Sequence, residues 1–144
     1  MHTKSLIKLL EVMEKINLEE EVKKIVSDKE FLVNLLSTAT FSSFWAGVSV
    51  HKDTDKKVAK DARDNNECME DVWADVLLKG GYLDVEDFEE EVNHKISLDD
   101  VINGFIILML KYPTNYANIM DENDDYYDAD AWLQCTVFGE VIYG

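Results

Sequence analysis

The chain has 144 residues, of which 47% are hydrophobic and 31% are charged, a composition typical of one globular domain with a single core. Its formal net charge is −16 at pH 7, which disfavours nucleic acids and anionic membranes as partners because both are polyanions. Since only six glycines and one proline are present, we expect no flexible linker and one domain over residues 1–144.

The negative charge is confined to the second part of the chain. Residues 1–60 contain nine acidic and ten basic side chains, whereas residues 61–144 contain 21 acidic and four basic ones. This asymmetry favours a basic partner that approaches one side of the molecule. The simpler explanation is that the charge serves solubility alone.

Helical spacing begins at the N-terminus. Apolar residues at 6, 7, 9, 10, 13 and 16 predict an amphipathic first helix, and residues 18–27 are predicted to form a short second one. Residues 31–50 contain no charge and are long enough to span a bilayer. Because Asn34 and several Ser and Thr residues interrupt this stretch, we interpret it as the buried central helix of the domain.

The rest of the chain also has helical patterns. Spacing from Val58 to Leu77 predicts a helix that ends at the glycines after residue 79, and residues 84–94 predict an acidic helix. Residues 101–111 predict a core helix, and a last helix is predicted over about residues 125–143. No Asn-Gly hairpin signal is present. The sequence therefore predicts an all-α bundle of six or seven helices around the central one.

Cysteine usage and the N-terminus indicate a cytoplasmic protein. Cys68 and Cys135 form no C-x-x-C motif, and we expect both to be reduced and buried among apolar helical neighbours. The first residues show no apolar signal core with a cleavage site.

Two acidic runs are the candidate functional features. The first, at 121–130, holds six carboxylates and two tyrosines: Asp121, Glu122, Asp124, Asp125, Asp128 and Asp130, with Tyr126 and Tyr127. The second holds five: Glu86, Asp87, Glu89, Glu90 and Glu91. Capping of the last helix accounts for Asp124, Asp125 and Asp128. It leaves the others unexplained, because neighbouring like charges destabilise a helix.

Neither acidic run predicts a metal site. Positions 121–125 fit the start of an EF-hand loop, but Tyr126 replaces the glycine of the sharp turn and Trp132 replaces the bidentate glutamate. Glu91 and His94 have the E-x-x-H spacing of di-iron bundles, which need a second such motif and two further glutamates. We therefore expect no metal ion and no cofactor.

No catalytic motif is present in the sequence. It has no G-x-S-x-G, phosphate loop or dinucleotide fingerprint, and no cysteine lies near a histidine. We therefore expect the protein not to be an enzyme. The lysines at 52–60 alternate with acids, which indicates a solvated helix face rather than a nucleic-acid site.

Carboxylates attract basic partners over long range, and tyrosines are rigid anchors for binding. In size, acidity, helical content and acid–aromatic clustering, the chain resembles bacterial immunity proteins, such as those of colicin nucleases and of contact-dependent growth inhibition. The resemblance concerns overall type rather than a motif. It implies a cytoplasmic protein that neutralises a basic toxin domain, often a nuclease, with the two acidic runs as our candidate contacts.

Two other functions stay open from the sequence. A phage or plasmid protein that mimics DNA also carries rows of carboxylates, and it blocks a restriction, CRISPR or repair protein. A subunit of a larger assembly is the third possibility. For a docking surface, we expect that neutralising Asp121, Glu122 and Asp130 leaves stability unchanged or raises it slightly by relieving repulsion.

Overall fold

The structure, a computed structural model, describes residues 3–123 and 125–144. Within these residues the chain forms seven helices and three strands. In chain order they are α1 Thr3–Val26, α2 Lys29–Ser42, β1 Ala46–Val50, α3 Lys56–Asn65, α4 Met69–Leu78, β2 Leu83–Asp87, β3 Val92–Ile96, α5 Leu98–Lys111, α6 Pro113–Met120 and α7 Tyr126–Phe138. The prediction of a mainly helical protein is confirmed, but the prediction of a purely helical one is wrong.

The buried central helix is α7, not the predicted helix over residues 31–50. Both α2 and α5 pack against α7, and Trp132 is fully buried, with its ring 5.5 Å from that of Phe105. The backbones of α5 and α7 approach closely at Gly104, where an added Cβ would lie 2.7 Å from the Cα of Thr136. This crossing lies near the C-terminal end of α7.

The uncharged stretch 31–50 divides into a helix and a strand. Asp28 caps α2 through its side chain, and the hydroxyls of Thr38 and Ser42 donate to carbonyls four residues earlier. Such local bonds weaken a helix, while the β-branched Val48 and Val50 favour the strand that follows. In the short connection at 43–45 between α2 and β1, Ser43 and Trp45 are buried and Phe44 is exposed.

Residues 84–94 form a β-hairpin rather than the predicted acidic helix. β2 pairs antiparallel with both β1 and β3, with Val85 opposite Val48 and opposite His94. Val85, Phe88 and Val92 are three and four residues apart, which imitates a helix. Burial instead alternates with the period of a strand, since Leu83, Val85 and Asp87 are all buried.

Three smaller predictions also change. The two helices predicted up to residue 27 are one continuous helix, α1, which ends at Val26, and the helix predicted before Gly80 is two helices, broken at 66–68. Cys68 is exposed, which contradicts the prediction for it, whereas Cys135 is buried as expected and both thiols are free. Burial raises the pKa of Cys135 to about 11.

Among the described residues, no helix has the length and apolar character that crossing a membrane requires.

Candidate protein-docking surface

Each acidic run includes a turn between two elements of the fold. The run 86–91 comprises the end of β2 and the turn into β3, and the run 121–130 comprises the connection from α6 to α7 with the first turn of α7. Asp124 lies outside the described residues. Turns present side chains in several directions, so carboxylates close in sequence have different surroundings.

The connection 43–45 joins the two acidic runs in space. The Phe88 N–H donates to the Trp45 carbonyl at 2.7 Å, which fixes the hairpin turn against this connection. From the other side, Trp45 Nε1 donates to Asp130 at 2.8 Å and Ser43 Oγ donates to the same oxygen at 2.6 Å. Both runs therefore flank one three-residue segment, although about 30 residues separate them in sequence.

Asp87 is a structural residue of the run 86–91. Its side chain is buried and accepts from the Tyr143 hydroxyl at 2.8 Å and from the N–H of Glu89 at 3.0 Å. Burial, together with the adjacent Asp87 carboxylate, raises the pKa of Tyr143 to about 12. Asp87 thus shapes the turn and ties it to the C-terminal segment, and it is not presented to a partner.

Asp128 and Asp125 form the capping box of α7. Asp125 accepts from the N–H of Asp128, and Asp128 accepts from the N–H of Asp125, as the sequence predicts for this helix start. Asp128 is also buried and accepts from Asn115 Nδ2 at 2.8 Å and Asn118 Nδ2 at 3.3 Å. Its carboxylate therefore holds α6 against α7 and is inaccessible to a partner.

Asp130 is half-buried, and both of its carboxylate oxygens accept hydrogen bonds. Besides Ser43 and Trp45, Gln134 Nε2 donates to its second oxygen at 2.8 Å. Removing this acceptor takes a hydrogen bond from three donors, two in the 43–45 connection and one in α7, which costs stability. The expectation that neutralising Asp130 leaves stability unchanged is therefore not supported by its hydrogen bonds.

The remaining described carboxylates and both tyrosines of the runs face solvent. They are Glu86, Glu89, Glu90, Glu91, Asp121, Glu122, Asp125, Tyr126 and Tyr127. Tyr127 is 80% exposed, an unusual state for a large aromatic side chain. These residues are free to make contacts with another molecule, with Asp125 also serving as a helix cap.

Three exposed phenylalanines adjoin these residues and escaped the sequence analysis. Phe41 is 76% exposed and Phe44 96% exposed, and the Phe41 ring lies 5.4 Å from that of Tyr126. Phe88, in the hairpin turn, is also exposed. Phe41 and Phe44 lie in the uncharged stretch 31–50, and Phe88 lies in the predicted helix 84–94. Both patterns predict buried side chains. We call these three together with the nine solvent-facing residues of the runs the acidic–aromatic surface.

A groove of about 770 Å³ extends this surface along α2. It is lined by the end of α1, by α2 residues including Phe31 and Thr38, and by Ile119 and Glu122. Its lining contains both charge signs, since Lys24 faces it together with Asp28 and Glu30. The groove thus connects the α6–α7 turn with the helix that carries Phe41.

Each acidic run contains one glutamate in a strained backbone conformation. Glu91 has φ 54° and Glu122 has φ 56°, and within the described residues no other non-glycine has a positive φ. A left-handed conformation costs a side chain about 1 kcal/mol relative to glycine. Local folding favours glycine at both positions, so the carboxylates there need another explanation.

The structure offers no arrangement for a metal among the residues it describes, since no three His, Cys, Asp or Glu side chains group together as ligands. Glu91 lies in the hairpin turn and His94 in β3, so their E-x-x-H spacing is not on a helix. The His94 ring instead packs edge-on against Phe138 at 5.4 Å.

The fold and this site define a mainly helical protein with a small antiparallel sheet and an exposed acidic–aromatic surface. Comparisons with known protein families, with curated proteins and with solved structures find no match to this chain. Function is therefore inferred from the surface itself.

Proposed function

We propose that the protein is a non-enzymatic binding protein that docks a basic protein partner on the acidic–aromatic surface. We further propose that the partner is a cationic toxin domain of the nuclease type, which this protein neutralises in the manner of an immunity protein. The observation that carries the proposal is the contact of two exposed aromatic rings, Phe41 with Tyr126, beside exposed carboxylates of the run 121–130.

The two kinds of side chain have complementary roles in such a complex. Exposed aromatic rings that become buried against a partner supply much of the binding free energy at low entropic cost. Carboxylates around them accelerate the encounter with a basic protein and form charge-assisted hydrogen bonds to Lys and Arg. The strain at Glu91 and Glu122 supports the proposal, because it indicates that these carboxylates serve something other than folding.

The same surface supports protein docking better than DNA mimicry. A mimic needs carboxylates spaced along an extended face, and it gains nothing from phenylalanines exposed among them. Here three carboxylates of the two runs are consumed inside the fold, namely Asp87, Asp128 and Asp130. What remains is a patch with an aromatic centre rather than a row of charges.

The first test is affinity capture with the wild type and three variants as baits. The charge variant is Glu89→Gln with Glu90→Gln and Glu91→Gln, and the aromatic variant is Phe44→Ala with Tyr127→Ala. A control with the same change of charge is Asp61→Asn with Asp64→Asn and Glu67→Gln, in and just after α3, which packs on α4. Wild type and control are expected to retain a basic protein that both other baits lose.

Kinetics with the captured partner then separate the two roles. We expect the charge variant to associate roughly 10-fold more slowly at low salt, with less effect at high salt. The aromatic variant is expected to dissociate faster. If the partner inhibits cell growth and co-expression of this protein restores it, the immunity function is supported. A captured DNA-binding protein that duplex DNA displaces supports mimicry instead, and equal binding by all baits contradicts the proposed surface.

A further inference from the structure

The N-terminal part of α1 is an apolar helix that the rest of the molecule does not cover. Every residue from 3 to 17 is exposed, and we call this segment the arm. Its apolar side chains are 45% to 55% exposed, and they are Leu6, Ile7, Leu9, Leu10, Val12, Met13 and Ile16. Fifteen helical residues extend about 22 Å, so the arm is longer than the remaining part of α1, residues 18–26.

The arm turns its apolar face away from the body of the protein. Val22 and Val26 are buried in the core, and Leu18 and Ile25 on the same side are half-buried. Met13 precedes Val22 by nine residues, which is about 2.5 helical turns, so the two side chains lie on opposite sides of α1. One helix therefore has two apolar faces, and the fold uses only the second.

The apolar positions of the arm suit pairing with a second copy of the same helix. Leu6, Leu9, Met13 and Ile16 follow the alternating spacing of three and four that two-stranded coiled coils use. In an antiparallel pair centred on residue 11, Leu6 faces Ile16 of the second copy and Leu9 faces its Met13. Every layer then joins two aliphatic side chains, and no polar residue enters the seam.

The available area is sufficient for such a pair. Six of the seven half-exposed apolar side chains of the arm lie on this face. Together they offer roughly 500 Å² of accessible surface per copy, or about 1,000 Å² in a symmetric pair, which is near the lower limit for a specific interface. The arm also carries three lysines and two glutamates, so it differs in charge from the strongly acidic body.

Charge decides the direction of pairing. Each chain has a net charge of −16, and parallel arms would place two acidic bodies side by side. Antiparallel arms hold the bodies at opposite ends of a helix pair about 22 Å long, which exceeds the Debye length of about 8 Å at physiological salt. We propose that the protein is a dimer held by antiparallel pairing of residues 3–17, on a surface separate from the acidic–aromatic surface.

The mass in solution tests this proposal directly. Light scattering and sedimentation equilibrium are expected to show two chains for the wild type. Leu9→Glu with Met13→Glu is expected to weaken self-association at least 100-fold, because four charges enter one apolar seam. Lys8→Glu makes the same change of charge on the polar side of the arm and is expected to remain dimeric. Circular dichroism and the Tm verify that the body stays folded.

Disulfide trapping tests the direction, in a Cys68→Ser background that leaves the buried Cys135. A mixture of Leu9→Cys and Met13→Cys chains is expected to cross-link as a heterodimer, whereas parallel arms would cross-link Leu9→Cys chains to one another. Several results overturn the proposal: a wild type that is monomeric at all concentrations, a dimer insensitive to the two glutamates, or parallel cross-linking. Monomeric wild type that floats with phosphatidylcholine vesicles assigns the arm to a lipid surface instead.

Discussion

The two acidic runs contain carboxylates of the same charge in opposite environments. Asp87 and Asp128 are buried and accept hydrogen bonds from several donors, whereas Glu89 and Glu90 beside Asp87 face water. The buried members are aspartates, whose short side chains reach backbone N–H groups two or three residues away, after Asp87 and before Asp128. A dense run of acids in a sequence can therefore combine internal anchors and solvent-facing carboxylates within a few residues.

The largest effect should come from removing an internal anchor. Asp128→Ala deprives the buried region of an acceptor for Asn115, Asn118 and the Asp125 N–H. We expect the free energy of unfolding in urea to fall by about 3 kcal/mol, since each unpaired donor costs free energy. Asp121→Ala, in the same run but exposed, should change it by no more than about 0.5 kcal/mol. Equal losses in the two variants would show that the environments do not differ.

A second variant examines the half-buried member of the run. Asp130→Asn turns one oxygen into an amide that cannot accept from both Gln134 and the Ser43–Trp45 side. We expect a loss of about 1–2 kcal/mol by the same denaturation experiment. Glu122→Gln makes the same charge change at an exposed position and serves as the control. If Asp130→Asn is as stable as the wild type, the hydrogen bonds of Asp130 are not structurally important, and Asp130 would again be a candidate docking residue.

Sequence patterns anticipated the parts of this site that depend on neighbours in the chain. The Asp125 cap of α7 is local, and it is present. The donors of Asp130 come from residues 43, 45 and 134, which no local pattern brings together. The exposure of Phe44 is equally a tertiary property, because an uncharged stretch such as 31–50 looks buried until its helix ends at Ser42.

The exposed members of the runs can be tested through their backbone. Glu91→Gly and Glu122→Gly remove the strain that a side chain causes at a positive φ. Each variant is expected to raise the free energy of unfolding by about 1 kcal/mol. The same changes should weaken binding of the captured partner, because each removes a carboxylate. Glu86→Gly, in β2 with an extended backbone, should instead destabilise the protein, since glycine weakens a strand. Unchanged stability in both turn variants would show that Glu91 and Glu122 are not strained, and the backbone would then no longer support a function for their carboxylates.

The smallest effect on stability is expected for the charge variant with glutamines at 89, 90 and 91. These side chains face water, so their neutralisation removes no internal hydrogen bond and only relieves mutual repulsion, worth at most about 0.5 kcal/mol. Because salt screens that repulsion, raising the ionic strength should stabilise the wild type slightly more than the variant, and the difference between them should shrink. Urea titrations of both proteins at low and high salt measure this. A variant that loses stability, at any salt concentration, would place these glutamates with Asp87 among the internal anchors, and the hairpin turn would then offer a partner little beyond Phe88.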